Sequence, residues 1–305
     1  MSSLLLKATY IVGLLVVSGG IHVSNCNDVS VEERIHGGYW ARKPEDAPGV
    51  VYIDDADEAD QQWCAGALIS AYYVLSAAHC FDAFDHSTLF VRAGSTYRYN
   101  SGGLTRSVEA VVSYEKYEQY KDLPERILFN IAMLRLAEPL DRADNVGHFQ
   151  ISAKQPGVGS TAKYVIAGWG DAEGGDGTVN LKTGTVELTS MQACAKVFLL
   201  KGMGERDTAS LLCSKSEAGL CYGDSGGPLY LRDILYGISL YSYRFKPPYD
   251  QLVNDCERSY SAYLNVFAFR GWIRGQRNYY DLNNEFLNST KNNYQFTNSY
   301  HDKYG

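Results

Sequence analysis

The sequence predicts an all-β chain, and three observations carry that expectation. First, from Val50 to Leu140 it runs in short stretches rich in Val, Ile, Tyr and Leu, broken by Gly, Ser and Asn clusters. Ala67-Leu68-Ile69 and Leu89-Phe90-Val91-Arg92-Ala93-Gly94 are examples. Second, the pattern resumes at Tyr164-Val165-Ile166-Ala167-Gly168-Trp169-Gly170 and continues through Thr185-Val186-Glu187-Leu188, Leu235-Tyr236-Gly237-Ile238 and Tyr263-Leu264-Asn265-Val266. Short strands with regular turn signals mean barrels or sandwiches. Third, 305 residues with 45% hydrophobic and 21% charged side chains suffice for two globular domains, each with its own core. One helix is expected near Val266, because Val266, Phe269, Trp272 and Ile273 fall on a single helical face.

The ends differ from the body. Lys7, the apolar run Ala8 to Val17 and the small residues Ser18-Gly19-Gly20 predict a secretory signal peptide over 1–20, too short to span a bilayer comfortably. Residues 276–305 form a polar tail rich in Asn and Tyr. Asn288-Ser289-Thr290 in that tail is a glycosylation candidate. The net charge of −7 argues against nucleic acid or an anionic membrane as partner. The six histidines have no Cys or carboxylate partners at metal-ligand spacings, so no metal and no cofactor is expected. Asp54, Asp55, Asp57, Glu58 and Asp60 make an acidic run read as a solvated loop. Secretion permits disulfides, and spacing alone leaves the pairing of the seven cysteines open.

Three segments carry chemistry. They are Leu75-Ser76-Ala77-Ala78-His79-Cys80, Phe129-Asn130-Ile131-Ala132-Met133-Leu134-Arg135-Leu136 and Cys221-Tyr222-Gly223-Asp224-Ser225-Gly226-Gly227-Pro228. In this order they resemble the catalytic segments of the chymotrypsin/trypsin family of serine proteases. The resemblance covers about residues 35–275. It implies two six-stranded antiparallel β-barrels, about 35–150 and 151–265, followed by a C-terminal α-helix. It further implies His79 as base, Ser225 as nucleophile, and the N–H groups of Gly223 and Ser225 as oxyanion donors. The pairs Cys64–Cys80, Cys194–Cys213 and Cys221–Cys256 follow from the same resemblance, with Cys26 left over. Arg34-Ile35-His36-Gly37-Gly38 resembles the family's activation site, which would make 21–34 a propeptide and bring the new Ile35 ammonium to Asp224.

The departures decide the functional reading. Asn130 stands where the family places the aspartate that orients and charges the histidine. An amide is neutral and favours the wrong imidazole tautomer; in this family that exchange costs about ten-thousandfold in turnover. Asp122 is the nearest alternative, but it lacks the Ile-Ala and Leu-x-Leu that follow Asn130. Gly237-Ile238-Ser239-Leu240-Tyr241-Ser242 aligns so that Leu240 replaces a serine whose hydroxyl serves the family aspartate. Gly219 lies at the floor of the specificity pocket, and Ser242 and Ser261 occupy wall positions. Two readings stay open: an elastase-like slot for small residues, or a slot blocked to peptide, with Tyr222 and Tyr241 nearby.

The expected function is therefore that of a secreted, proteolytically inactive serine protease homologue acting by protein binding. The substitutions resemble those of the inactivated serine protease paralogues of parasitic mites, related to mite group 3 allergens. That resemblance implies host-protein partners, complement components among them. The alternative is a weakly active serine endopeptidase with a small-residue preference; a decoy for protease inhibitors is a third reading.

Overall fold

The structure is a computed structural model that describes residue 35 and residues 38–56, 64–82, 86–98, 102–142, 145–159, 161–170, 179–194, 208–246, 251–253 and 260–281. After the short strand β1 (Tyr39–Trp40) come β2 (Val50–Asp55), β3 (Cys64–Ser70), β4 (Tyr73–Ser76), β5 (Leu89–Ala93), β6 (Leu104–Ser113) and β7 (Ala132–Leu136). These last six close into a barrel in the order β2-β3-β4-β7-β6-β5, every pair antiparallel. The second half supplies β8 (Gln150–Ile151), β9 (Lys163–Gly168), β10 (Lys182–Thr189), β11 (Leu211–Lys215), β12 (Pro228–Leu231), β13 (Ile234–Lys246), β14 (Gln251–Val253) and β15 (Tyr260–Asn265). Here β9, β10, β11, β15, β13 and β12 form a second ring, closed by the β10–β9 pairing. Closure leaves neither barrel a bare edge within its ring.

The side-chain pattern follows from closure. In β5 buried and half-buried residues alternate strictly, as a strand with one face on a barrel core should. In β2 and β7 every residue is buried, because the outer faces are covered as well. The chain crosses over twice: β1 pairs with β10, Tyr39 opposite Thr183, and β8 runs parallel to β13. The larger buried cluster takes in residues of both barrels, from Val51 and Leu75 to Leu235 and Leu264.

Two short helices, α1 (Glu115–Gln119) and α2 (Met191–Cys194), precede the expected long one, α3, over 266–281. Val266, Phe269 and Ile273 of α3 are buried, and Trp272 packs beside them. The helix sits on the first barrel. Tyr114 meets Phe269 and Trp272 edge-on, at ring-centre distances of 5.1 and 5.6 Å. Farther along, the Tyr73 hydroxyl donates to Asp281 Oδ1 at 2.6 Å. No helix among the described residues is long and apolar enough to cross a membrane.

Candidate active site

Each catalytic segment is placed by a barrel strand that ends beside it. β4 delivers His79 on the 3-10 turn Ala78–Phe81, and the Cys64–Cys80 disulfide ties that turn to the start of β3. A second 3-10 turn, Pro124–Phe129, ends at Asn130 immediately before β7. The β7–β4 pairing sets Ala132 opposite Ser76 and so brings Asn130 beneath the histidine. Asp122 is exposed and makes no part of this contact.

The hydrogen bonds of Asn130 fix its orientation. The His79 backbone N–H donates to Asn130 Oδ1 at 3.0 Å. A backbone N–H can only donate, so the oxygen must face it, and the amide nitrogen is turned to the ring. Asn130 Nδ2 then donates to His79 Nδ1 at 2.9 Å and to the Tyr241 hydroxyl at 3.1 Å. That hydroxyl lies 3.4 Å from Nδ1. Nδ1 therefore accepts, and the neutral ring carries its proton on Nε2, the nitrogen that a general base needs bare. Burial pushes the His79 imidazole down to about 4. A proton added at Nδ1 would also have to displace the amide donor.

The nucleophile side is only half assembled. Gly223 has φ +88° and Gly226 φ +82°, the left-handed turns that the nucleophile loop requires. At Gly226 a Cβ would fall 2.0 Å from Ser76 Oγ and 2.3 Å from the Ala65 carbonyl oxygen, so no side chain fits. Among the described residues neither the Gly223 nor the Ser225 N–H is used in a backbone hydrogen bond, which leaves both for an oxyanion. The Ser225 hydroxyl donates at 3.1 Å to the Leu240 carbonyl instead of to His79.

The residues expected at the specificity slot are hydrogen-bonded to one another. Ser242 and Ser261 are paired residues of β13 and β15, both buried, with their Oγ atoms 3.1 Å apart. Ser261 Oγ also accepts the Leu220 N–H at 3.3 Å, beside Gly219. This chain of hydrogen bonds joins β13 and β15 to the segment beside Gly219. The serines do this, not the tyrosines: Tyr222 is 61% exposed, and Tyr241 is committed to Asn130 and stacked on His79, ring centres 5.0 Å apart.

Tyr241 is the residue whose role sequence reasoning missed. It occupies the place of a family tryptophan. Leu240 is buried and offers no hydroxyl, as expected, but the register shift in β13 between Ser239 and Tyr241 accompanies a phenol that reaches Asn130. The signal was present in the sequence, since replacing an indole by a phenol puts an oxygen at the ring's far end.

Of the activation residues, Ile35 is buried in the second barrel's cluster with Ile166, Val186 and Ala218. Asp224 is buried and accepts the Gly170 N–H at 2.8 Å and the Cys221 N–H at 2.9 Å. Arg34, Cys26 and Asn288 lie outside the described residues. The Cys194–Cys213 bond is formed. Cys221 is disulfide-bonded, while Cys256 lies outside the described residues. Cys64, His79 and Cys80 converge closely enough to suggest a metal site, but both sulfurs are consumed by their disulfide.

This fold and this arrangement of His79, Ser225 and the nucleophile loop define a chymotrypsin-type serine protease scaffold. Residues 36–273 match the trypsin family, and the chain belongs to it. Over 217 residues it is 29% identical to Trypsin alpha of Drosophila melanogaster, covering 69% of this chain and 76% of that protein. Trypsin delta of Drosophila erecta is 30% identical, covering 69% and 77%. The solved structure of neuropsin, a serine protease expressed in the limbic system of mouse brain, superposes with a TM-score of 0.64. It covers 79% of this chain and 98% of its own at 22% identity, a likeness of fold alone.

Proposed function

We propose that this chain is a secreted serine protease homologue without useful peptidase activity, acting by binding other proteins. The observation that carries the reading is the Asn130 amide, turned by the His79 backbone N–H so that it donates into Nδ1. A ring proton on Nε2 leaves that nitrogen no lone pair to take the Ser225 proton, and no carboxylate is present at position 130 to stabilise an imidazolium. The bridged slot supports the same reading independently, because a substrate side chain would have to break two buried hydrogen bonds to enter. A scaffold that keeps both barrels, its disulfides and its nucleophile loop while catalysis and docking are altered together suits a binding role. The resemblance to inactivated mite paralogues points that role to host proteins, complement components among them.

The test is a chain beginning at Ile35, assayed on a broad peptide library beside Asn130→Asp and Asn130→Asp with Leu240→Ser. Turnover by the unmodified chain near that of ordinary family members would sink the proposal. A pull-down from host serum tests the partner class, and absence of any specific complement component would remove that part.

A further inference from the structure

The polar groove along α3 shares no residue with the catalytic cleft. About 480 Å³ in volume, it is lined by Arg270, Arg274 and Arg277 of the helix, with Ile151, Ser152 and Ala153 among the facing residues and one carboxylate, Asp281, which accepts the Tyr73 hydroxyl. Spacings of four and three residues put the three guanidiniums on one helical face, about 6 and 10 Å apart along the axis. Among the described residues none of them has a salt bridge, in a chain whose net charge is −7. Two are braced. Arg270 Nη1 donates to the Phe267 carbonyl at 2.6 Å, and the Arg277 guanidinium lies 5.7 Å from the centre of the Tyr73 ring. Cations braced in this way give up little entropy when a carboxylate arrives.

We infer that this groove binds an extended acidic segment of a partner protein. The claim rests on the protein-binding reading above and gives it a face. Carboxylates at every second position of an extended chain recur about every 6.6 Å, close to the Arg270–Arg274 separation. Arginine forks match carboxylates bidentately. Ile151 and Ala153 supply apolar surface among the cations.

The probe is fluorescein-labelled Glu-Leu-Glu-Leu-Glu, titrated with the full chain and read by anisotropy at low and at physiological ionic strength. Binding should weaken with salt and fall about tenfold or more in Arg274→Glu/Arg277→Glu. Lys121→Glu, an exposed change outside the groove, should leave it unchanged, and Arg274→Lys/Arg277→Lys should retain part of it. Thermal unfolding checks that each variant is folded. Double-reversal binding within about twofold of the original, equal binding of Gln-Leu-Gln-Leu-Gln, or binding of a sulfated oligosaccharide with none of the peptide would each overturn the inference. Peptidase turnover by the unmodified chain would sink the proposed function and leave the groove result standing.

Discussion

Asn130→Asp separates chemistry from docking in a single substitution. The residue is 1% exposed, so a carboxylate there needs donors, and three are in place. The His79 backbone N–H already points at Oδ1, Nδ1 gains a proton once the amide donor is gone, and the Tyr241 hydroxyl can turn to donate. The proton then leaves Nε2, and the imidazole becomes a base supported by a negative charge. In the family this exchange is worth about ten-thousandfold in turnover, or about 5.5 kcal/mol of barrier. The hydrogen bond from Ser225 to the Leu240 carbonyl does not involve residue 130, so its cost falls on both chains and cancels in the comparison. The bridged slot is untouched. A small fluorophosphonate needs the serine and the oxyanion donors but no specificity pocket, so its labelling rate should rise by about three to four orders of magnitude. Peptide turnover should stay low. Labelling by Asn130→Asp within about tenfold of the unmodified chain would refute the reasoning, because the tautomer would then not be what limits Ser225.

Further outcomes follow from the same geometry. Adding Ser242→Gly and Ser261→Gly to Asn130→Asp removes both bridging hydroxyls and should raise kcat/KM on peptides with small side chains, measured against Asn130→Asp alone. Tyr241→Phe in the Asn130→Asp background withdraws one of three donors from a buried carboxylate and should cost about 1–3 kcal/mol of stability, seen in urea melts. The same change in the native background should cost less, since the amide keeps its other two partners. Acid stability offers an opposed pair. His79, depressed from 6.5 to about 4, stabilises the fold above pH 6.5 and loses that contribution as pH falls towards 4. Asp54 is raised by burial from 3.8 to about 6, so its contribution is full below 3.8 and lost as pH rises through 6. The two offset each other between pH 4 and 6, and the unmodified chain should vary little there. Asp54→Asn should expose the histidine alone, as a loss on the order of 2–3 kcal/mol between pH 6.5 and 4 in denaturant titrations.

Much of the fold was legible because its signals are local. Strand runs such as Ala67-Leu68-Ile69 and Tyr164 to Gly168 lie within strands β3 and β9, and Val266, Phe269 and Ile273 mark the buried face of α3. The cross-pairing of β1 with β10 was not legible, since two residues carry no periodicity. The catalytic residues were readable from their segments, but their state was not. The amide's direction depends on one backbone N–H 51 residues away, and the Tyr241 contact on a register shift 111 residues away. Serines at the slot walls could be counted from the motif. That Ser242 and Ser261 close on each other and on Leu220 depends on strand pairing, which composition does not encode. The acidic run shows the limit of reading charge as exposure. Asp54 and Asp55 are buried at the end of β2, near Arg92 and Arg98, not on a solvated loop.

The central claim is that His79 is neutral with its proton on Nε2, and the nitrogen-15 spectrum of its imidazole reads this directly. With the ring labelled, Nδ1 should show the shift of an unprotonated acceptor and Nε2 that of a protonated nitrogen, both unchanged from neutral pH down to about pH 5. A protonated Nδ1 at neutral pH, or an imidazolium forming near pH 6.5, would contradict it.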